Sequence, residues 1–135
     1  MADTFELKLL TPQREVFDEP VAQVTAQGAL GQFGVLPDHV AFLTSLDPGP
    51  LTIRTAGGSE QTLAVKSGYA EVRDNVMTVL ADDALPLDRI DAAAARADLE
   101  RCEAALAEAP FGHPDHERLR QEVRWAEVRI ELAGG

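Results

Sequence analysis

The sequence predicts many short antiparallel strands over residues 1–84, packed as a sandwich or barrel, followed by an antiparallel two-helix hairpin over residues 85–135. Three observations carry this reading. The hydrophobic period changes near Ala84-Leu85-Pro86, from alternation to a repeat of three and four. Seven of the ten glycines and five of the eight prolines precede that point, set as turn residues between short runs rich in Val, Thr and Phe. Beyond it, apolar residues recur on one helical face, with a single turn between two such stretches.

Phe5, Leu7 and Leu9 alternate with Glu6 and Lys8, the pattern of a half-buried strand. Val16-Phe17 and Val21–Thr25 read as two strands split by Asp18-Glu19-Pro20. Phe33–Leu36 ends at Pro37-Asp38. Leu51–Thr55 and Gln61–Val65 flank Gly57-Gly58, a hairpin signal, and Tyr69–Val72 and Val76–Leu80 flank Asp74-Asn75, another. Helices are expected at about 89–109 and 115–132, with Asp88 as an N-cap and Asp91 at the positive end of the dipole. Ala92, Ala95, Leu99, Cys102, Leu106 and Ala109 form the stripe of the first helix. Pro110-Phe111-Gly112-His113-Pro114 stops it. Leu119, Val123, Ala126, Ile130 and Ala133 continue the stripe in the second helix, with Trp125, Val128 and Leu132 beside it. The small side chains of the first helix bury little apolar area, so the hairpin is expected to be weakly stable alone.

Composition limits the function. The 135 residues carry 12 Lys+Arg against 23 Asp+Glu, a formal net charge of −11. Residues 1–84 hold 5 basic and 12 acidic side chains (−7), and residues 85–135 hold 7 and 11 (−4). So acidic a surface excludes unaided binding to nucleic acid or to anionic lipid, and favours a basic protein partner. No apolar run approaches the roughly 20 residues that span a bilayer. The N-terminus lacks the basic start and apolar stretch of a signal peptide. A lone cysteine, Cys102, fits a reducing compartment. A soluble, acidic, intracellular protein is expected.

No catalytic, cofactor or metal site emerges. Gly28, Gly31 and Gly34 are spaced G-x-x-G-x-x-G, matching neither the dinucleotide fingerprint nor the P-loop, and read as turn and bulge glycines. His113, Asp115 and His116 open a helix without a further ligand cluster. Cys102 sits on an apolar stripe with no base fixed beside it. Asp82, Asp83 and Asp88 belong to the junction and its cap. His39 follows a Pro-Asp turn with no nucleophile in reach. The residues alone describe a binding module, and a free-standing β-sandwich adaptor for some helical partner is one form it could take.

The stretch from Gly31-Gln32-Phe33-Gly34-Val35-Leu36-Pro37-Asp38-His39 to Leu43-Thr44, with Pro48-Gly49 beyond, resembles the epsilon subunit of F-type ATP synthases. That family reads Gly-Glu-x-Gly-x-x-Pro-Gly-His-Ala-x-Leu-Leu-Thr, then Pro-Gly. Ser67–Val72, Asn75–Asp82 and the opening Phe5–Phe17 also resemble it, and the layout agrees over the whole chain. The resemblance implies an antiparallel β-sandwich of about ten strands over residues 1–84, in a non-catalytic rotor part that joins the gamma subunit to the c-ring and couples proton or sodium flow to ATP synthesis. It implies a peripheral place on the cytoplasmic side of a bacterial inner membrane, held through other subunits. By position, Gln32 and Phe33 fall in the loop that meets the c-ring, and His39 in the turn facing gamma. Three departures stand out: Gln32 replaces the family's Glu, Asp38 replaces the Gly before His39, where positive φ is costlier, and the stretch from Val24 to His39 is about two residues longer than the family's common spacing.

In that family the C-terminal hairpin lies against the sandwich or extends along gamma, where it blocks ATP hydrolysis. Arg118, Arg120, Arg124 and Arg129 are the residues here that offer contacts to acidic segments of the catalytic alpha and beta subunits. Pairing with acids of their own helix, as Arg118 with Glu122, competes with that role. Some members bind ATP through Ile/Leu-Asp-x-x-Arg-Ala. Here four alanines separate Ile90-Asp91 from Arg96-Ala97. The arginine comes two residues late, about 200° further round the helix, so ATP binding is not expected.

Overall fold

The opening alternation of Phe5, Leu7 and Leu9 becomes strand β1 (Phe5–Leu10), with those three side chains buried and Glu6 and Lys8 exposed. The computed structural model describes residues 3–134. Among them, nine strands are present: β1, β2 (Glu15–Gly28), β3 (Gly31–Val35), β4 (Phe42–Leu46), β5 (Gly49–Thr55), β6 (Glu60–Val65), β7 (Gly68–Arg73), β8 (Val76–Ala81) and β9 (Ala84–Pro86). Their order is β1-β8-β7-β4-β2-β5-β6-β9, with β3 added to β2 and a further β1–β2 pairing that closes a ring.

The strands number nine rather than about ten, and β2 spans what the sequence pattern splits into two. It runs unbroken through Asp18-Glu19-Pro20, pairing its first half with β1 and its second with β3 and β5. Proline is tolerated at position 20 because it faces Glu6, whose N–H is spent on the Asn75 carbonyl, so no ladder bond from Pro20 is needed. A register shift between Val21 and Gln23 then flips the buried parity, from Phe17 and Val21 to Val24 and Ala26. One extra residue reverses every later side chain, which hides the continuity of the strand from a period-two reading. The sheet is also not wholly antiparallel: β1 and β8 run parallel, Leu7 beside Met77 and Leu9 beside Val79.

Both hairpin signals join paired strands, β5 to β6 through a five-residue loop at 55–59 and β7 to β8 through a two-residue turn. Asp74 and Asn75 take φ of 54° and 62°, the doubly left-handed turn that matches strand twist, and Arg73 pairs with Val76 across it. The core of this unit is Phe5, Leu7, Leu9, Val21, Val24, Val35, Leu51, Ile53, Leu63, Met77, Val79 and their neighbours.

The chain divides into two compact units, Met1–Leu85 and Pro86–Gly135. In the second, Leu87–Arg89 forms a single 3-10 turn, and helices α1 (Ala92–Ala107) and α2 (His116–Leu132) follow. Asp91, not Asp88, caps α1, its carboxylate accepting from the Ala94 N–H at 3.0 Å. The helix therefore starts at Ala92, after the residues from 89 that the charge pattern suggested. Ala95 and Cys102 are buried in α1, and Leu119, Trp125, Ala126 and Val128 in α2. No helix among the described residues is long and apolar enough to cross a membrane.

Candidate partner interface

Gly28 pairs with Gly31 to close the β2–β3 hairpin, leaving Ala29 and Leu30 at its tip. Leu30 is fully exposed. Gln32 is also exposed, opposite Gln27, while Phe33, opposite Ala26, turns inward and is half-buried. The Phe33 ring lies so close to Gly28 that a Cβ there would meet it at 3.1 Å. Glycine lets the aromatic ring lie flat along the strand and brace the tip.

Phe33 does not stand alone. Its ring meets Phe42 edge-on, with centroids 5.4 Å apart, and Phe42 lies 5.2 Å from the imidazole of His39. Phe42 thus joins Phe33 and His39 in one row of ring contacts. Edge-on rings hold each other's orientation more tightly than aliphatic contact does. Gln32, by contrast, points away from this ladder into solvent.

The His39 turn is fixed from a distance. Asp38 takes φ of 61°, so the left-handed conformation is adopted despite the loss of glycine. Its N–H donates to the Asn75 Oδ1 at 2.8 Å. The Asn75 amide in turn donates to the Thr4 carbonyl at 2.9 Å, and the Asn75 carbonyl accepts from Glu6 N–H at 3.2 Å. One asparagine therefore ties the β3–β4 loop to the β7–β8 turn and to the start of β1. The His39 Nδ1–H donates to the Val40 carbonyl at 2.8 Å, which leaves Nε2 as its outward-facing nitrogen. Asn75 was legible only as a turn former, since nothing in a turn signal shows a bond 37 residues away.

The outer face of β1, β8, β7 and β4 carries a second apolar region. Tyr69 and Leu80 are cross-strand partners, Leu80 lies beside Leu10, and both Tyr69 and Leu80 are exposed, as is Leu43. Leu10, Thr11, Pro12, Gly68, Tyr69 and Leu80 line an open groove of about 440 Å³ there. Alternation places these side chains on the solvent face of otherwise regular strands.

On α2 the four arginines fall into two kinds. Arg118, Arg120 and Arg124 reach acids of their own helix: Asp115 at 3.8 Å, Glu117 at 3.5 Å and Glu131 at 3.2 Å. Such exposed pairs contribute about 0–1 kcal/mol and leave the side chains available. Arg129 instead crosses to α1, where its Nη2 donates to Asp98 at 3.0 Å, and its side chain is only 13% exposed. In the connecting loop, the His113 Nδ1 accepts from the Asp115 N–H at 3.0 Å and the His116 Nδ1 donates to the Ala109 carbonyl at 2.9 Å. Both histidines serve the turn. Among the described residues, no group of three or more His, Cys, Asp or Glu is placed to hold a metal ion.

Residues 4–87 match the family described as ATP synthase, Delta/Epsilon chain, beta-sandwich domain. The ATP synthase epsilon chain of Geobacter sulfurreducens is 40% identical over 134 residues, covering 99% of this chain and 96% of the relative. That of Geotalea uraniireducens is 45% identical over 133 residues, covering 98% and 96%. Among solved structures, a chain of the Euglena gracilis mitochondrial ATP synthase assembly of OSCP, F1 and c-ring matches with a TM-score of 0.81 at 25% identity, over 98% of this chain and 82% of that one. A chain of the Tetrahymena thermophila mitochondrial ATP synthase central stalk and c-ring shares the fold, with a TM-score of 0.63 at 19% identity over 95% of each chain. Sandwich, helical pair and turn motifs thus agree with one set of relatives along nearly the full chain, and the chain belongs to the ATP synthase epsilon-chain family, the non-catalytic rotor subunits of the F1 sector.

Proposed function

We propose that this chain joins the gamma subunit to the c-ring, with the β2–β3 tip turned to the ring and the His39 turn to gamma. The observation that carries the reading is the tip itself. Leu30 projects from a two-residue turn and Gln32 from the strand beside it, and Phe33, Phe42 and Gly28 brace this tip from behind. An exposed apolar residue on a stiffened hairpin suits a contact that must transmit torque with little yield. Phe33 acts as the brace and Gln32 as a contact that lacks charge. The net −7 of residues 1–84 supports a basic partner surface.

Membrane association on the cytoplasmic side of a bacterial inner membrane then runs through these protein contacts, since anionic lipid repels so acidic a surface. The α1–α2 hairpin modulates ATP hydrolysis by contact of its arginines with the catalytic alpha and beta subunits. ATP itself is not a ligand, because the Asp91 carboxylate is engaged by its own helix and Arg96 lies two residues late. The decisive experiment is co-purification with gamma, followed by cross-linking from Gln32→Cys to c subunits. A stable complex and a c-specific adduct are expected, and a failure to recover gamma would overturn the reading.

A further inference from the structure

We infer that the Asp98–Arg129 pair is a clasp that holds the α1–α2 hairpin shut and withholds Arg129 and Trp125 from a partner until it opens. The consequence for catalysis rests on the reading above, that the hairpin modulates ATP hydrolysis: the strength of the clasp sets how readily it does so.

Arg129 is engaged on every side. Its Nη2 donates to the Asp98 Oδ2 at 3.0 Å, its Nε donates to the Trp125 carbonyl at 3.4 Å, and its guanidinium lies 5.1 Å from the Trp125 ring centroid. The other Asp98 oxygen accepts from the Arg101 Nη2 at 2.8 Å. A carboxylate held by two cationic donors, one of them largely withdrawn from water, forms a stronger fastening than the exposed pairs of Arg118, Arg120 and Arg124. Its position gives it leverage. Residues 108–115 tether the helices at one end, whereas Arg129 lies near the free end of α2, where the pair would first splay. The fully buried residues of α1, Ala95 and Cys102, are small, so the clasp adds a directional fastening to the apolar packing that Leu119, Trp125 and Val128 supply from α2.

The test uses the full chain and the assembled complex. Amide exchange of α2 is measured in the wild type, in Asp98→Asn, in Arg129→Gln and in the double variant. Each single change is expected to speed α2 exchange about tenfold while sandwich amides are unaffected, and the double is expected to be no faster than either single. Unchanged exchange in the singles, or effects that multiply in the double, would overturn the clasp. In the assembled complex, Asp98→Asn is expected to shift ATP hydrolysis opposite to the shift on removal of residues 86–135. If that removal leaves hydrolysis unchanged, the regulatory reading falls with its link to the clasp, and the exchange data still decide the clasp by themselves.

Discussion

Arg129 of α2 crosses to Asp98 of α1 at 3.0 Å, joining two helices through a carboxylate that Arg101 holds from its other side. Burial acts to raise the Asp98 pKa, but hydrogen bonds and charge from Arg129 and Arg101 outweigh it and hold the carboxyl below its ordinary value.

The sign of the resulting pH dependence follows from that depression. A folded pKa below the unfolded value of about 3.9 means that the unfolded chain binds the proton more readily. The contribution is therefore complete above about pH 4 and disappears as pH falls through the folded value. The hairpin of the wild type should loosen more steeply below about pH 4 than that of Asp98→Asn, read as α2 amide exchange in both proteins. Other carboxylates titrate in the same window, so the difference between the two curves is the quantity that counts. Parallel curves would show that Asp98 carries no share of the acid response.

Gly68 offers a sharper stability test in the first unit. It takes φ of +149°, and a Cβ there would overlap the Leu80 carbonyl oxygen and sit 2.9 Å from the Ala81 Cα. Both obstacles are backbone of β8, which cannot rotate away as a side chain would. Gly68→Ala should destabilise the sandwich by about 3 kcal/mol, with Tm lower by more than about 10 °C. Thermal melting checks this, and a shift under about 2 °C would mean that β7 and β8 separate more easily than their register suggests.

What could be read from residue order tracks the range of the forces involved. The period-two strands, the Asp74-Asn75 turn and the stripes of α1 and α2 depend on neighbours within a few positions, and they appear where their patterns place them. The shift at Val21–Gln23 reverses the pattern midway and so disguised one strand as two. Capping by Asp91 rather than Asp88 turned on three residues of 3-10 geometry that composition does not distinguish. A motif singles out Phe33, Gln32 and His39 as candidates, yet the Phe42 ring that links two of them and the Asn75 amide that sets the turn act across the fold. Arg129 was grouped with three other arginines by charge, and only packing separates it, since burial beside Asp98 and Trp125 is a property of two helices together.

The β2–β3 tip allows binding and stability to be separated by two substitutions. Leu30 is fully exposed and braces nothing, so Leu30→Ser should change folding stability by no more than about 0.5 kcal/mol. If the tip is a contact surface, the same change removes its apolar anchor and should weaken association with the partner complex about tenfold, or roughly 1.4 kcal/mol. Phe33 sits behind the tip and packs on Phe42, so Phe33→Ala should lower both quantities, with about 2 kcal/mol lost from the fold itself. Paired thermal melts and binding titrations on the two variants give the comparison. A Leu30→Ser protein that binds as the wild type does, beside a Phe33→Ala protein weakened only in proportion to its lost stability, would move the contact away from this hairpin. The apolar face of Tyr69 and Leu80 would then be the surface to probe next.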